Sequence, residues 1–394
     1  MSNALESQKI QLVCVSPVHI GSGEVYRPYE YLYDEENSKA AILDESKWIA
    51  FLAERGWMDE FSAYVDSAAR EIGRSRGKRG VNLFQWLKRK GVSRREMQTF
   101  TLRSMQVTGD AKGSLNDVHI QTALADGRPY IPGSSIKGAM RIGILYGALQ
   151  KHPDIRHRRW TEINGVIQNR YLKSGEVKRE LSNIAKRLET EFLHTLKIRN
   201  EKRENAVCSA MRGLRVSDAV CDEHETILLR KLDVSTKPDR AKSFLKKLPI
   251  YRECIPAGRR LTFRLSWDPA MLATCGISGI KEIRKNMSDF MRCGLNVQKQ
   301  VDAFSKYAPQ FEEAEQADFF LGGGTGFFTK SLLLALAPSE REAKDAIQSY
   351  LDCQFYKHKH RSLDREISPR TLKLARDGGE EWLLGLVRWE DNRA

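Results

Sequence analysis

The chain predicts an α+β fold, and three observations carry the prediction. Helical and strand periodicities mix along the chain without the regular strand–helix–strand alternation of a parallel sheet. No short-period repeat of the solenoid type is present. At 394 residues the chain is long for one hydrophobic core and suits two domains.

The elements follow in chain order. Residues 9–15 alternate, with Ile10, Leu12 and Cys14 on one side, and read as a strand. The strand runs into Ser16-Pro17-Val18-His19-Ile20-Gly21-Ser22-Gly23, where proline and two glycines mark a turn that displays His19. Tyr26, Tyr29, Tyr31 and Tyr33 fit a strand or core better than a platform for bases. Residues 46–65 place Trp48, Leu52, Trp57, Phe61 and Val65 at helical spacing, with a break at Gly56. Residues 73–80 are basic and glycine-rich and predict a mobile loop; residues 108–117 predict a polar one.

Tyr130 and Ile131 end an extended piece, because a residue before proline avoids the helical region. A helix should begin at Ser134 or Ser135 as N-cap, with Ile136, Met140, Ile144 and Ala148 in line. Gly143 and Gly147 would let that helix pack closely. Lys137 and Arg141, four residues apart, share a face. With Gly133, the two serine hydroxyls and the free N–H groups of the first turn, they form a candidate anion site.

Further helices are predicted over residues 176–196, 279–307 and 345–351, and strands over 214–220, 261–267 and 382–389. Residues 331–336 are short and apolar, either a buried strand or a helix start.

Gly322-Gly323-Gly324-Thr325-Gly326 is the most distinctive stretch, flanked by phenylalanines and followed by Lys330. Four glycines in five residues let the backbone adopt positive φ and approach a partner. Successive N–H groups in such a loop face anions, most often phosphate. Neither a nucleotide-binding GxxxxGK[ST] run nor a dinucleotide GxGxxG fingerprint is present. Valine at Gly324 is expected to block that approach while sparing the fold.

Charge points to the partner. The 65 basic residues exceed the 51 acidic ones by 14. Residues 70–103 hold eleven basic and two acidic residues, and residues 151–204 hold fourteen and eight. Together these stretches exceed the whole excess, and concentrated positive charge attracts polyanions. The patch at Lys88, Arg89 and Lys90 is therefore expected to contact a polyanion. No apolar run near 18 residues and no signal-peptide pattern accompanies it, so nucleic acid and the cytoplasm are favoured over a membrane. Seven scattered cysteines without CxxC or zinc-ligand spacing predict reduced thiols, no metal and no cofactor.

Taken in order, Pro17-Val18-His19-Ile20-Gly21-Ser22-Gly23, Ile131-Pro132-Gly133-Ser134-Ser135-Ile136-Lys137-Gly138 with Arg141, residues 214–218, Leu321-Gly322-Gly323-Gly324-Thr325-Gly326 with Lys330, and Pro369-Arg370-Thr371-Leu372-Lys373 resemble the RAMP-superfamily proteins of type III-A CRISPR systems. The set is most like the fifth Csm subunit of the effector complex, over roughly residues 10 to 376. The resemblance implies RAMP-type ferredoxin-like, RRM-related domains with helical and loop insertions. It implies an N-terminal half over 1–152 with a basic insertion around 66–112, a basic helical segment over 153–205, and a C-terminal half over 206–394 bearing the glycine-rich loop 321–330.

It implies a groove for the guide RNA backbone, a subunit capping the filament at the guide 3′ end, and assistance in guide maturation. Neighbouring RAMP and small helical subunits, target RNA and host nucleases are the implied partners. Such a role needs phosphate contacts rather than base readout. The candidate RNA-binding residues are His19, Gly21, Ser22, Gly23, Gly133, Ser134, Ser135, Lys137, Arg141, Gly322, Gly323, Gly324, Thr325, Gly326 and Lys330. A RAMP protein can also be an endoribonuclease. For that alternative His19, His119, His358 and His360 are candidate bases. Metal-dependent cleavage would need converging carboxylates, for which Asp110, Asp117 and Asp218 are candidates, and the slicing loop aspartate that the resemblance implies for another subunit would fall at Asp34 or Asp110.

Overall fold

The alternation in the first strand has a direct structural result: Ile10, Leu12 and Cys14 are all fully buried. The structure, a computed structural model, describes residues 5–75, 81–107, 115–237, 245–377 and 379–391. The strands in chain order are β1 (Glu6–Cys14), β2 (Gly21–Tyr26), β3 (Tyr31–Asp34), β4 (Lys39–Leu43), β5 (Thr101–Val107), β6 (Val118–Gln121), β7 (Tyr130–Ile131) and β8 (Leu214–Val216). They continue with β9 (Ala219–Val220), β10 (Thr226–Ser235), β11 (Leu245–Cys254), β12 (Arg260–Trp267), β13 (Phe319–Phe320), β14 (Thr371–Asp377), β15 (Glu380–Trp382) and β16 (Leu386–Asp391).

These strands form two sheets. The first runs β13-β16-β1-β12-β9-β7, with β8 also on β12. The second runs β2-β6-β11-β10-β5-β4-β3, with β14 on β10 and β15 on β14. Both sheets combine strands from before residue 152 and after residue 206. Pairing across β1–β12 and β1–β16 is antiparallel, whereas β10–β5 and β11–β6 are parallel.

On the first sheet lies the helix Gly133–Lys151, which crosses the helix Ile280–Lys299. A Cβ on Gly143 would sit 2.6 Å from Met287 Cγ, and one on Gly147 would sit 2.2 Å from Asn286 Nδ2. Both glycines thus permit the close packing expected of them. A second core gathers Leu232, Val234, Phe304, Tyr307, Ile347 and Leu374. A third fills the helical insertion between β4 and β5 with Trp48, Leu52, Leu83, Phe84, Leu87 and Phe100.

Several boundaries differ from expectation. The helix expected over 279–307 stops at Lys299; Val301 is extended and a 3-10 turn, Asp302–Tyr307, follows. Phe304 and Tyr307, three apart, then both reach the second core. The break at Gly56 is real, with φ +67, between the helices Glu45–Glu54 and Met58–Ser75. Residues 73–75 belong to the second of these helices, while 76–80 and 108–114, with Asp110, lie outside the described residues. Residues 333–336 form a short helix. Tyr31 and Tyr33 are buried in β3, as a strand or core role requires.

Part of the positive charge in the two basic stretches is paired within the chain. Lys88 pairs with Glu36, and Lys90 pairs with Glu60. The Lys90 ammonium also sits 4.5 Å from the Trp57 ring centroid and 5.0 Å from that of Trp86. Arg94 holds Asp34 and Glu36, and Arg103 holds Glu253. Around the helix Ser174–Leu193, Arg158, Arg159 and Arg187 share Glu162 and Glu191. Of the expected polyanion patch, Lys88 and Lys90 thus have acidic partners, Glu36 from the turn between β3 and β4 and Glu60 from the insertion, while Arg89 donates to the Gln85 carbonyl.

Candidate nucleic-acid interface

The turn after β1 is where the two ends of the chain meet. Pro17 O accepts from Gly385 N at 2.8 Å, and Ser16 Oγ accepts from Leu386 N at 3.0 Å. His19 O accepts from Gly323 N at 2.7 Å. This last bond docks the glycine loop directly on the turn. Gly322 has φ +80, and a Cβ there would lie 2.1 Å from His19 O. Gly324 has φ +84, and its Cβ would meet Leu384 Cδ1 at 2.9 Å. The expectation that valine at Gly324 would spare the fold is therefore corrected, since L side chains rarely adopt this backbone and the Leu384 side chain would have to shift. Thr325 is buried, its hydroxyl 2.7 Å from that of Thr329.

His19 is not displayed on its turn; the residue is 4% exposed. Its Nδ1 lies 2.7 Å from Glu253 O, and a carbonyl only accepts, so Nδ1 carries the proton. Burial pushes the ring pKa down to about 4, with Arg252, His119 and Lys330 adding to the effect against the Glu253 hydrogen bond. The imidazole is therefore neutral at pH 7, and its Nε2 presents a lone pair. The ring lies between Gly21 and Gly323, where a Cβ would approach it to 3.2 Å on either side. Gly21, Ser22 and Gly23 are exposed on β2, at the edge of the second sheet.

Glu253 anchors this region from below. It is fully buried and accepts from Arg103 Nε at 2.7 Å, Arg103 Nη2 at 2.8 Å, Gln121 N at 2.9 Å and Thr226 Oγ1 at 2.9 Å. Four acceptor sites on one carboxylate are satisfied, which offsets the cost of burying the charge.

The start of the helix Gly133–Lys151 corrects two expectations. Pro132, not a serine, occupies the N-cap position, and no side chain caps it. The anion position is already filled: Asp218 Oδ1 accepts from Gly133 N at 2.7 Å. Gly133 also packs against the segment joining β8 to β9, where a Cβ would meet Val216 O at 2.2 Å. Lys137 turns to β8, donating to Leu214 O at 2.7 Å. Ser134 and Arg141 remain exposed.

Two adjoining clefts bring the motifs together. One, of about 270 Å³, is lined by Ser135, Gly138, Met287, Gly322, Thr329 and Lys330. The other, of about 580 Å³, is lined by Gly138, Arg141, Arg159, Leu181, Lys330 and Tyr350 among others. Gly138 and Lys330 belong to both. Burial and the nearby Arg252 lower the Lys330 pKa. Neither Arg141 nor Lys330 has an ion-pair or hydrogen-bond partner for its side chain among the described residues.

A third cleft, of about 540 Å³, opens on the other part of the glycine loop. Gly324, Thr325 and Gly326 line it together with Lys231, Arg252 and Lys373. Only Lys373 belongs to a motif recognised in the sequence. Lys231 and Arg252 come from β10 and β11, whose sequences carry no such motif.

The candidate carboxylates are engaged in structure. Arg94 Nε reaches Asp34 Oδ2 at 2.6 Å, and Asp117 lies 3.5 Å from Arg27. Among the described residues no three His, Cys, Asp or Glu side chains converge as metal ligands do.

The RAMP-superfamily pattern matches residues 11–327, which is most of the chain. The chain belongs to the RAMP superfamily. The α+β class and the RAMP-type ferredoxin-like domains are the fold of this RAMP protein. It is 27% identical over 342 residues to the "CRISPR system Cms protein Csm5" of Streptococcus thermophilus, covering 84% of this chain and 82% of the relative. It is 23% identical over 400 residues to the protein of that description from Mycobacterium tuberculosis (strain ATCC 25618 / H37Rv), covering 95% and 94%. In fold, it resembles a chain of the cryo-EM structure of a Csm–crRNA–target RNA ternary complex of a type III-A CRISPR-Cas system, with TM-score 0.64 at 19% identity. That match covers 98% of this RAMP chain and 100% of the other. The crystal structure of T. onnurineus Csm5 matches with TM-score 0.57 at 18% identity, over 96% and 99%. At these identities the structural likeness speaks for the fold alone. No helix among the described residues is long and apolar enough to cross a membrane.

Proposed function

We propose that this chain is the Csm5-like, RNA-binding subunit of a type III-A CRISPR effector complex. In this reading it caps the filament at the guide RNA 3′ end and assists guide maturation in antiviral defence. Its partners are the guide RNA, target RNA and neighbouring RAMP and small helical subunits, in the cytoplasm, with host nucleases as further partners. Likeness to Csm5 proteins over four-fifths or more of the chain supports the complex. The observation that carries RNA binding is that the helix-start motif and the glycine loop with Lys330 line adjoining clefts, while the turn of residues 17–23 docks on the same loop through His19 O.

Each group has a role set by its chemistry. Arg141 and Lys330 meet backbone phosphates as cations with no partner among the described residues. Ser134 and Ser135 offer hydroxyls at the groove edge, and Gly21, Ser22 and Gly23 a side-chain-poor strand along which a backbone can lie. Neutral His19 offers an acceptor, which suits a ribose hydroxyl rather than a phosphate. Gly133, Lys137, Gly322 and Thr325 hold the shape of the groove. A ring with pKa about 4 is a poor general base at neutral pH, which weighs against an endoribonuclease built on His19.

Arg141→Ala and Lys330→Ala should each weaken single-stranded RNA binding by about 1–2 kcal/mol, and the salt dependence should fall by roughly 0.7 in log–log slope per lost phosphate contact. Melting should not change, since neither side chain is paired among the described residues. Unaltered affinity and slope in both variants would overturn the groove assignment.

A further inference from the structure

The third cleft holds an unpaired cation that the motif groove does not use. Arg252 Nη1 is buried with no hydrogen-bond partner among the described residues. The other cations of the cleft are committed. Lys373 donates to Asp233 Oδ2 at 2.8 Å, and Lys231 lies 3.7 Å from Asp233 Oδ1. Arg370 is held by Asp364 and by His358 O. Burial disfavours the charged form of Arg252; Cys254 and Asp233 offset that cost in part, and no carboxylate of the described residues forms an ion pair with it.

Beside Arg252 lies the loop backbone. A Cβ on Gly324 would come within 3.6 Å of Arg252 Nε, so the absent side chain leaves the peptide close to the guanidinium. The N–H groups of Gly324, Thr325 and Gly326 meet no acceptor among the described residues. With φ +84 at Gly324 and +105 at Gly326, the loop alternates in the manner of an anion-binding nest. At the rim stand two large rings in solvent, Phe355 at 54% and Tyr356 at 73% exposure. Phe355 itself lines the cleft. A phosphate-sized anion site bordered by an exposed aromatic ring fits the two halves of a nucleotide. An acidic protein segment would satisfy the cation but leave the rings bare.

We propose that this cleft takes one nucleotide of a single-stranded RNA, its phosphate between Arg252 and the N–H groups of residues 324–326 and its base stacked on Phe355. The proposal rests on the RNA-binding reading above and adds Arg252 and Phe355 to the glycine loop's part in it.

The test is equilibrium binding of a fluorescent single-stranded RNA to the full chain, comparing Arg252→Met, Phe355→Ala and Arg141→Ala with the unsubstituted protein. Oligonucleotides with and without a terminal phosphate show whether the seat takes an end or an internal phosphate. Poly-glutamate serves as the acidic-segment probe. Phe355→Ala should weaken RNA binding roughly tenfold at unchanged melting temperature and unchanged salt slope, because stacking is not ionic. Arg252→Met should weaken it at least as much and reduce the slope by about 0.7. If both cleft variants bind RNA normally while Arg141→Ala does not, the nucleotide seat is wrong and the groove stands. If the unsubstituted chain does not bind RNA, both fall. Poly-glutamate binding that drops with Arg252→Met while RNA binding holds would also overturn the proposal, in favour of an acidic protein partner. Should Arg252→Met fail to fold, the exposed Phe355→Ala decides alone.

Discussion

Replacing Arg103 with methionine should lower the free energy of unfolding by about 3–5 kcal/mol, the usual effect of stranding one partner of a buried ion pair. Glu253 would remain fully buried with only Gln121 N and Thr226 Oγ1 to satisfy its charge. The damage should reach the functional surface, because the Glu253 carbonyl orients His19. Denaturant unfolding checks this. The Arg103→Met/Glu253→Leu double variant should recover much of the loss, since the unpaired charge is then gone. A single variant as stable as the parent would show that the pair is not desolvated as described.

The second large effect is expected at Gly322. Alanine there should destabilise the chain by roughly 2–6 kcal/mol, summing an unfavourable left-handed backbone and a forced contact with His19 O. The contact is with backbone, so no side chain can swing aside. Gly323→Ala is the control. Its φ is not in the left-handed region, and the nearest atom, His19 Cδ2, is 3.2 Å away. That variant should stay within about 1 kcal/mol of the parent. Thermal melts of the two proteins side by side test the claim. Equal melting temperatures would mean that the loop does not dock on the turn.

The comparison of these glycines shows what the sequence could and could not reveal. Clustered glycines announce a special backbone, and the structure has one. Which glycine serves conformation and which serves approach depends on contacts more than 300 residues away, such as Gly322 against His19. The helix start failed for the same reason. Its free N–H groups suggested an anion site, but the carboxylate that fills it, Asp218, lies 85 residues along the chain from Gly133.

Charge counting in windows had the same blindness. Arg94 looks unpaired beside Arg95, yet its acids are Asp34 and Glu36, about 60 residues earlier. Local helical periodicity transferred well, as Ile136, Met140 and Ile144 all reach the core. β11 was missed because Lys246, Lys247 and Pro249 break any alternation, and with it went Arg252. Its neighbour β10 is buried along most of its length, and it too lacks the period-two signal of a half-exposed strand.

The most direct measurement of the central claim is photo-crosslinking of a 4-thiouridine guide RNA within the assembled complex, with the modified peptides of this subunit identified by mass spectrometry. The account predicts crosslinks in residues 19–23, 134–141 and 322–330, and their loss at the last segment when Lys330 is replaced by alanine. Crosslinks confined to the helices of residues 45–75 and 174–193, with none in the glycine loop, would contradict it.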